Sequence, residues 1–246
     1  MASSLTALPA AAAVVSQSST IGAWSLQTNA TLSVGEISFK YLGRMGASNN
    51  WLRTAGDSTG VSAIYNSGTS PNPADDLYEF DLLGPIYGNA NWSTKYLFYQ
   101  VTLTNPKLRF SSVSMNIQGN LTTKSSIVIQ NTLSSQYLSP TMSQSAANSL
   151  LGVLRESRTG AGMVQTAASQ TTLSLNGYQG NSIYVMMEIN VLSPFSLKGP
   201  KASLTDASLT LDVIPSVPEP SSCFLMTGLL GAGLLLVRRN KSKTVS

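Results

Sequence analysis

The 246-residue sequence contains no histidine and only one cysteine. Histidine is the commonest general base near neutral pH, so its absence excludes Ser-His-Asp and Cys-His catalysis and removes the commonest zinc ligand. The single cysteine, Cys223, excludes an intrachain disulfide, and the compartment cannot be inferred from cysteine pairing. The folded part of the chain therefore depends on its hydrophobic core.

Charged residues are also scarce, at 11%, and the net charge of +4 is unevenly distributed. Residues 1–216 carry eleven Lys and Arg against ten Asp and Glu, a net charge of +1. The remaining +3 comes from Arg238, Arg239, Lys241 and Lys243 against Glu219. Because nucleic-acid binding requires a basic surface on the domain, this distribution excludes nucleic acid as an expected partner.

The sequence is rich in Ser, Thr, Asn and Gln, and apolar residues alternate with polar ones in several stretches. Alternation with period two is typical of half-buried strands. The clearest cases are residues 183–191 and 97–103, with shorter ones at 127–129, 173–175 and 209–213. Two longer runs, 32–41 and 108–117, change parity, which predicts a β-bulge or a bend. We expect one all-β domain over residues 19–214, a two-sheet antiparallel sandwich of jelly-roll type.

One segment has the spacing of a helix. Between Ser143 and Ser157, Ala147, Leu150, Leu151 and Leu154 would lie on one helical face, and Gly160 follows. We expect this segment to form one short helix that covers an edge or an end of the sandwich.

The C-terminal segment has three parts. Residues 223–237 are uncharged and largely apolar, and Arg238, Arg239, Lys241 and Lys243 follow. A helix of this length spans about 22 Å, short of a hydrocarbon core of about 30 Å, and is therefore a marginal transmembrane helix. A buried core helix is the alternative. The basic residues predict a membrane stop and a cytoplasmic tail over residues 238–246, with the domain outside the membrane.

A short motif, Val217-Pro218-Glu219-Pro220, lies before this apolar segment, within a Pro-rich linker over residues 215–222. The order of motif, apolar helix and basic end over residues 217–246 resembles the PEP-CTERM sorting domain of bacterial exported proteins. That resemblance implies that Pro218, Glu219 and Pro220 are recognised by an exosortase, a transient partner. It also implies a protein that is held in the inner membrane, processed, and then found at the cell surface or in a polysaccharide matrix. Two prolines keep the motif extended and accessible.

The N-terminal segment has features of a signal peptide. Leu5 to Val15 form an apolar stretch, and small polar residues from Ser16 to Ser18 follow. The usual positive region is missing. We expect a weak or truncated signal peptide over residues 1–18, cleaved near Ser16 to Ser18, with a start codon upstream of Met1.

The main polar cluster is Asp75, Asp76, Glu79 and Asp81. Glu79 and Asp81 lie on one face of a strand whose other face carries Tyr78, Phe80 and Leu82. Paired carboxylates serve glycoside hydrolysis, and Glu-Phe-Asp resembles part of the Glu-x-Asp-x-x-Glu signature of sandwich glucanases, although Gly84 takes the third position. Asp75 and Asp76 could instead hold Ca²⁺. A solvated loop that leads into a strand explains the same residues without a ligand.

Aromatic residues offer a second candidate site. Trp24, Trp51 and Trp92, with Tyr65 and Tyr87, would suit a sugar-stacking platform if they were exposed, and the core or a sheet edge if they were not. The sequence favours a non-enzymatic exported protein with no cofactor. The alternative is a carbohydrate-binding or carbohydrate-active sandwich.

Overall fold

The structure, a computed structural model, describes residues 14–26, 30–45, 58–67, 77–87, 94–138, 149–161, 169–193 and 202–216. Its elements are β1 (Val14–Thr20), α1 (Ile21–Leu26), β2 (Thr31–Val34), β3 (Ile37–Met45), β4 (Gly60–Asn66), β5 (Leu77–Tyr87), β6 (Lys95–Leu103), β7 (Leu108–Asn120), β8 (Ser126–Ser134), β9 (Leu150–Thr159), β10 (Thr172–Ser174), β11 (Ser182–Leu192) and β12 (Ser203–Pro215). The all-β prediction is confirmed.

The strands form two antiparallel sheets of six. Sheet A has the order β1-β4-β5-β12-β7-β10, and sheet B has the order β2-β3-β6-β11-β8-β9. From β5 onward the pairing is nested: β5 pairs with β12, β6 with β11, β7 with β10 and β8 with β9. Eight strands paired in this way, and divided between two sheets, have the connectivity of a jelly roll. The predicted two-sheet sandwich is therefore confirmed.

The four N-terminal strands extend both sheets beyond the eight nested strands, two strands in each sheet. β3 adds to β6 and β2 adds to β3 in sheet B, while β4 adds to β5 and β1 adds to β4 in sheet A. β1 and β2 are consequently edge strands. The side-chain Oε1 of Gln17 in β1 accepts a hydrogen bond of 2.6 Å from the backbone N–H of Ser33 in β2. This contact satisfies a donor at the edge of sheet B, where unpaired backbone groups are a liability.

The core lies between the two sheets, and Phe80 in β5 is at the centre of its aromatic part. Its ring centroid lies 4.5 Å from that of Tyr99, 5.3 Å from that of Phe39 and 5.6 Å from that of Trp24. All four side chains are buried. Trp24 is carried by α1, so this short helix supplies part of the core rather than covering the surface.

The helix expected between Ser143 and Ser157 is a wrong prediction over the residues that the structure describes. Leu150–Thr159 form β9, which pairs with β8 along its length. The observed helix is α1. Leu154 is buried in the sandwich core, so the apolar residues that suggested a helical face serve a strand instead. Residues 143–148 lie outside the described part of the chain.

The two parity changes have different outcomes. In residues 32–41 the chain reverses direction: β2 and β3 are separate strands joined by a two-residue turn at Gly35 and Glu36, and Gly35 has a φ of +50°. Glycine at that position matches the positive φ that tight hairpins require. The pairing of β3 with β6 then shifts register between Tyr41 and Gly43. In contrast, β7 is one strand from Leu108 to Asn120, and Ser111 is an extra residue in its pairing with β12. The predicted bulge in 108–117 is confirmed.

A polar contact ties edge strand β9 to β7 across the sandwich. β10 has only three residues and pairs with Ser112 to Ser114, so it ends before the N–H of Ile117. The Glu156 carboxylate accepts that N–H at 3.0 Å. Arg158 forms an ion pair with Glu156 at 3.0 Å and donates to the Asn116 side chain at 3.3 Å. The Glu156 carboxylate thus accepts the hydrogen bond that a neighbouring strand would otherwise accept from the Ile117 N–H.

Candidate functional site

Strand β5 presents the acidic residues on the outer face of sheet A. Tyr78, Phe80 and Leu82 are fully buried in the core, so Glu79 and Asp81, which alternate with them, point away from it. This part of the sequence prediction is confirmed. The alternation is the physical reason, because a strand with one buried face must place its intervening residues on the other.

The neighbouring strands surround Asp81 with small polar side chains. Ser62 in β4 and Ser208 in β12 lie directly opposite Asp81 on its two sides. Asp81 is only 7% exposed although it faces outward, and its Oδ1 atom has no hydrogen-bond partner among the described residues. An unsatisfied carboxyl oxygen is therefore present at the centre of this face.

A third carboxyl group, Asp206 in β12, joins the cluster. It lies opposite Leu83, two pairs along from the Asp81 and Ser208 pair, and just beyond it Gly84 and Pro85 of β5 lie opposite the single residue Thr205. A Cβ atom on Gly84 would lie 2.1 Å from the Leu204 carbonyl oxygen, so this close approach of the two strands requires glycine. Asp206 is two residues from Ser208 in a regular part of this ladder, so it lies on the same face as Asp81. We call Glu79, Asp81 and Asp206 the carboxyl cluster.

The carboxyl cluster has unusual electrostatics. Burial, the negative charges of Glu79 and Asp206, and a hydrogen bond with Glu79 together raise the pKa of Asp81 to about 7. Burial and the charge of Glu79 also raise the pKa of Asp206, and a backbone hydrogen bond from Ala207 partly offsets this. The Asp81 side chain therefore keeps its proton to a higher pH than a free aspartate does.

The structure does not decide between a binding role and a catalytic role for Glu79 and Asp81. Glycosidases separate their two carboxyl groups by about 5 Å or more so that a sugar or a water fits between them. Glycoside hydrolysis by this pair therefore stays a prediction. The Oδ1 atom of Asp81 has no partner among the described residues and can accept a hydrogen bond from a ligand.

The structure does not test the calcium hypothesis. Asp75 and Asp76 lie outside the described residues. Within the described part of the chain, no three His, Cys, Asp or Glu side chains come together in a way that could hold a metal ion. A calcium site that depends on Asp75 and Asp76 stays a prediction.

The aromatic residues do not form the sugar platform that we considered, as far as the structure describes them. Trp24 is fully buried in the core, and Tyr65 stacks on the buried Tyr78 with ring centroids 4.9 Å apart. Tyr87 is 63% exposed, at the end of β5. Trp51 and Trp92 lie outside the described residues. For Trp24 the core interpretation is therefore the correct one.

The sequence did not reveal Asp206. It is far from Glu79 and Asp81 along the chain, and the strand pattern at Leu209, Leu211 and Val213 indicated only that a strand lay nearby. The local signal is the alternation itself: Ala207, Leu209 and Leu211 are core residues, so Asp206 lies on the opposite face. Only the pairing of β12 with β5 shows that this face of β12 lies beside Asp81.

The terminal sorting features lie outside the described residues. This applies to Pro218, Glu219 and Pro220, to the apolar segment 223–237 and to the basic residues Arg238, Arg239, Lys241 and Lys243. None of the helices within the described residues has the length and apolar character needed to span a membrane.

No protein-family model, no curated protein and no solved structure matches the chain. Its function therefore has to be inferred from its own residues.

Proposed function

We propose that this protein is a bacterial exported protein whose jelly-roll domain is delivered outside the inner membrane and then released by an exosortase. One observation carries the proposal more than any other. The last strand, β12, lies inside sheet A between β5 and β7 and ends at Pro215, and the chain divides into two units between Pro215 and Ser216. The PEP motif begins two residues later.

This placement is what a sorting signal requires. A central strand with partners on both sides fixes the end of the domain, so the motif begins just after a stable element. Cleavage near Pro218 to Pro220 would remove no described strand from the domain. The released product would keep its core, and it would be a non-enzymatic surface or matrix protein that carries no cofactor.

The test compares variants in the bacterium that makes the protein. Glu219→Ala should leave the protein in the membrane fraction at its full mass, because the exosortase no longer recognises it. Ser216→Ala is the matched control, since Ser216 follows β12 and lies outside the motif, and this variant should be processed normally. Normal processing of Glu219→Ala would contradict the role of the motif.

Variants of the basic tail provide a second test of the proposed sorting. Reversing it with Arg238→Glu and Arg239→Glu should impair retention and sorting, because positive charge beyond an apolar helix holds that end in the cytoplasm. Cell fractionation with an antibody against the domain measures the result. Unchanged sorting of the double variant would contradict a membrane stop at these residues.

The carboxyl cluster favours a second candidate function, glycan binding by the outer face of sheet A. Carboxylate and hydroxyl oxygens on one sheet face can accept and donate hydrogen bonds to sugar hydroxyls, and the unsatisfied Oδ1 of Asp81 is such an acceptor. This ligand would be an extracellular polysaccharide. Carbohydrate turnover is the less favoured form of this candidate, because Gly84 takes the place of the third carboxylate in the glucanase signature.

Glycan-array binding tests this candidate. Saturable binding that falls at least about tenfold in Glu79→Gln and Asp81→Asn would support it. Asp212→Asn is the matched control, because Asp212 is a carboxylate on the same sheet that accepts a hydrogen bond from Ser112 outside the cluster. If the unaltered protein binds no glycan saturably, the structural role is the only one that remains. Turnover of a polysaccharide panel that Glu79→Gln abolishes would overturn the non-enzymatic proposal.

A further inference from the structure

The carboxyl cluster lies in a face of sheet A that is otherwise built largely from small polar side chains. The strand registers place one row of five residues across β1, β4, β5, β12 and β7: Ser18, Ser62, Asp81, Ser208 and Asn116. We call it the serine row. Neighbouring strands are about 4.8 Å apart, so the row is about 19 Å long. Its hydroxyl, carboxyl and amide groups can exchange hydrogen bonds with the hydroxyls of a sugar chain.

Longer side chains lie on both sides of Asp81. Glu79 and Ile64 belong to the neighbouring row on one side, and Leu83 and Asp206 belong to the row on the other. Asp81 is 7% exposed, and the serines directly opposite it are buried as well. The alternation of short and long side chains therefore leaves a shallow trough that crosses the strands. Asp81 is on its floor, with Glu79 and Asp206 on its two sides.

The charges in this trough are of one sign. Glu79 and Asp206 raise the pKa of Asp81, and Glu79 raises the pKa of Asp206. No basic group of the described residues lowers either pKa. Arg158 contacts the serine row only at its end, two strands from Asp81, and its charge is balanced there by Glu156. The cluster is therefore a site of uncompensated negative charge.

Like charges gathered without a basic partner are unfavourable in the free protein, and a cationic ligand removes that cost. We propose that the trough binds an extended polysaccharide that carries primary amines, a polymer of de-N-acetylated amino sugars, with one ammonium group between Glu79 and Asp206 above Asp81. The inference rests on the proposed glycan binding by this face, and it names the class of glycan.

Each part of such a chain matches a part of the trough. An ammonium group donates up to three hydrogen bonds, and hydrogen bonds between charged groups are the stronger ones. The hydroxyls of the chain match the Ser and Asn side chains of the serine row. A lysine-rich peptide supplies the ammonium groups but not these hydroxyls. An acidic polysaccharide would be repelled by the carboxyl cluster.

Isothermal titration with an oligomer of glucosamine and with its fully N-acetylated form tests this inference. The glucosamine oligomer should bind at least about tenfold more tightly at low salt, because it alone carries ammonium groups. Added salt should reduce the difference. Equal or tighter binding of the N-acetylated form, or of a uronic acid oligomer, overturns the amine class but leaves glycan binding in place. No binding of these oligomers or of any glycan on an array overturns both.

Variants of the cluster locate the ammonium group. Glu79→Gln and Asp206→Asn each remove one carboxylate at nearly constant size, and each should weaken binding of the glucosamine oligomer at least about tenfold. Binding of that oligomer by Asp212→Asn, the matched control on the same face, should be unchanged. Unaltered binding in both cluster variants overturns the proposed site. Tighter binding of an oligolysine of equal charge overturns the carbohydrate as the ligand.

Discussion

The two halves of the sandwich are held together by different means. In the half formed by β3, β4, β5 and β6, the sheets meet through stacked and tilted rings around Phe80. In the half formed by β7 to β10, the core is mainly aliphatic and contains polar contacts. Glu156 binds the Ile117 N–H there, and the buried Asn131 side chain lies 3.8 Å from the Met115 sulfur.

The two halves differ because their strands have backbone partners of different length. The strands around Phe80 have long partners, so apolar contact alone can join the sheets. β10 is short and leaves a donor of β7 beyond its end, and a buried unpaired N–H costs about 1–3 kcal/mol. A charged side chain from the facing sheet satisfies it. The Glu156 carboxylate therefore lies in this core where it replaces a missing backbone partner.

Removing the central ring should have the largest effect on the aromatic half. Phe80→Ala should lower the free energy of unfolding by about 3–5 kcal/mol, because it leaves a cavity among three other rings. Urea denaturation measures the change. Leu83→Ala, on the outer face of the same strand and 38% exposed, is the control and should cost less than about 1 kcal/mol. Equal losses would contradict a central role for Phe80.

Breaking the polar tie in the other half should have a smaller effect. Glu156→Ala should cost about 1–3 kcal/mol, since the Ile117 N–H loses its acceptor inside the protein. Amide hydrogen exchange of Ile117 should speed up in this variant. Arg158→Ala should cost less than about 1 kcal/mol, because its side chain is 41% exposed and exposed ion pairs contribute little. A larger loss in Arg158→Ala than in Glu156→Ala would reverse this assignment.

The outer face of the aromatic half should respond to pH. The pKa of Asp81 is raised from 3.8 to about 7 in the folded state, so the native protein binds more protons than the unfolded chain between these values. Stability should therefore fall as pH rises from about 4 to 7. Asp81→Asn cannot ionise and should gain about 1–2 kcal/mol at pH 8, with little change near pH 4.

Denaturation midpoints measured from pH 4 to 8 check this expectation. The control Asp212→Asn should leave the pH dependence in place, because Asp212 is outside the carboxyl cluster. If Asp81→Asn has the same pH dependence as the unaltered protein, then another group causes it.

The smallest effect is expected for the buried amide of the polar half. The Oδ1 atom of Asn131 has no hydrogen-bond partner among the described residues, so its burial is unfavourable. Asn131→Leu should change stability by less than about 1 kcal/mol, in the favourable direction. Thermal denaturation measures it. A loss of more than about 2 kcal/mol would show that the amide has a partner that the aliphatic half requires.

Strand prediction from the sequence succeeded at several strands with one buried face and clear alternation, but it missed β4, whose Val61 and Ala63 are also buried in the core. Ile183 to Val191 and Leu97 to Leu103 alternate because each has a core face, and they became β11 and β6. The segment with Leu150, Leu151 and Leu154 failed because β9 is an edge strand with polar residues on both faces. Its alternation is weak, and pairing with β8 decided its structure against the helical spacing.

For the candidate site too, the sequence predicted only what depends on residues within one strand. Glu79 and Asp81 could be placed together because they are two residues apart on one strand, which fixes their common face. Asp206 could not, because only the pairing of β12 with β5 brings it to them, and that pairing joins strands far apart in the chain. The raised pKa of Asp81 also depends on burial by neighbouring strands, and a single strand does not contain that information.

The sequence alone determined the fold class, the polar face of β5 and the three-part order of the C-terminal segment, since each depends on residues close together in the chain. Tertiary structure decided the nested strand pairing, the burial of Trp24, the third carboxyl group and the pairing of β1 with β4. The physical reason is that these features depend on register between distant strands. A register is fixed only when both strands bury their apolar faces in the same core.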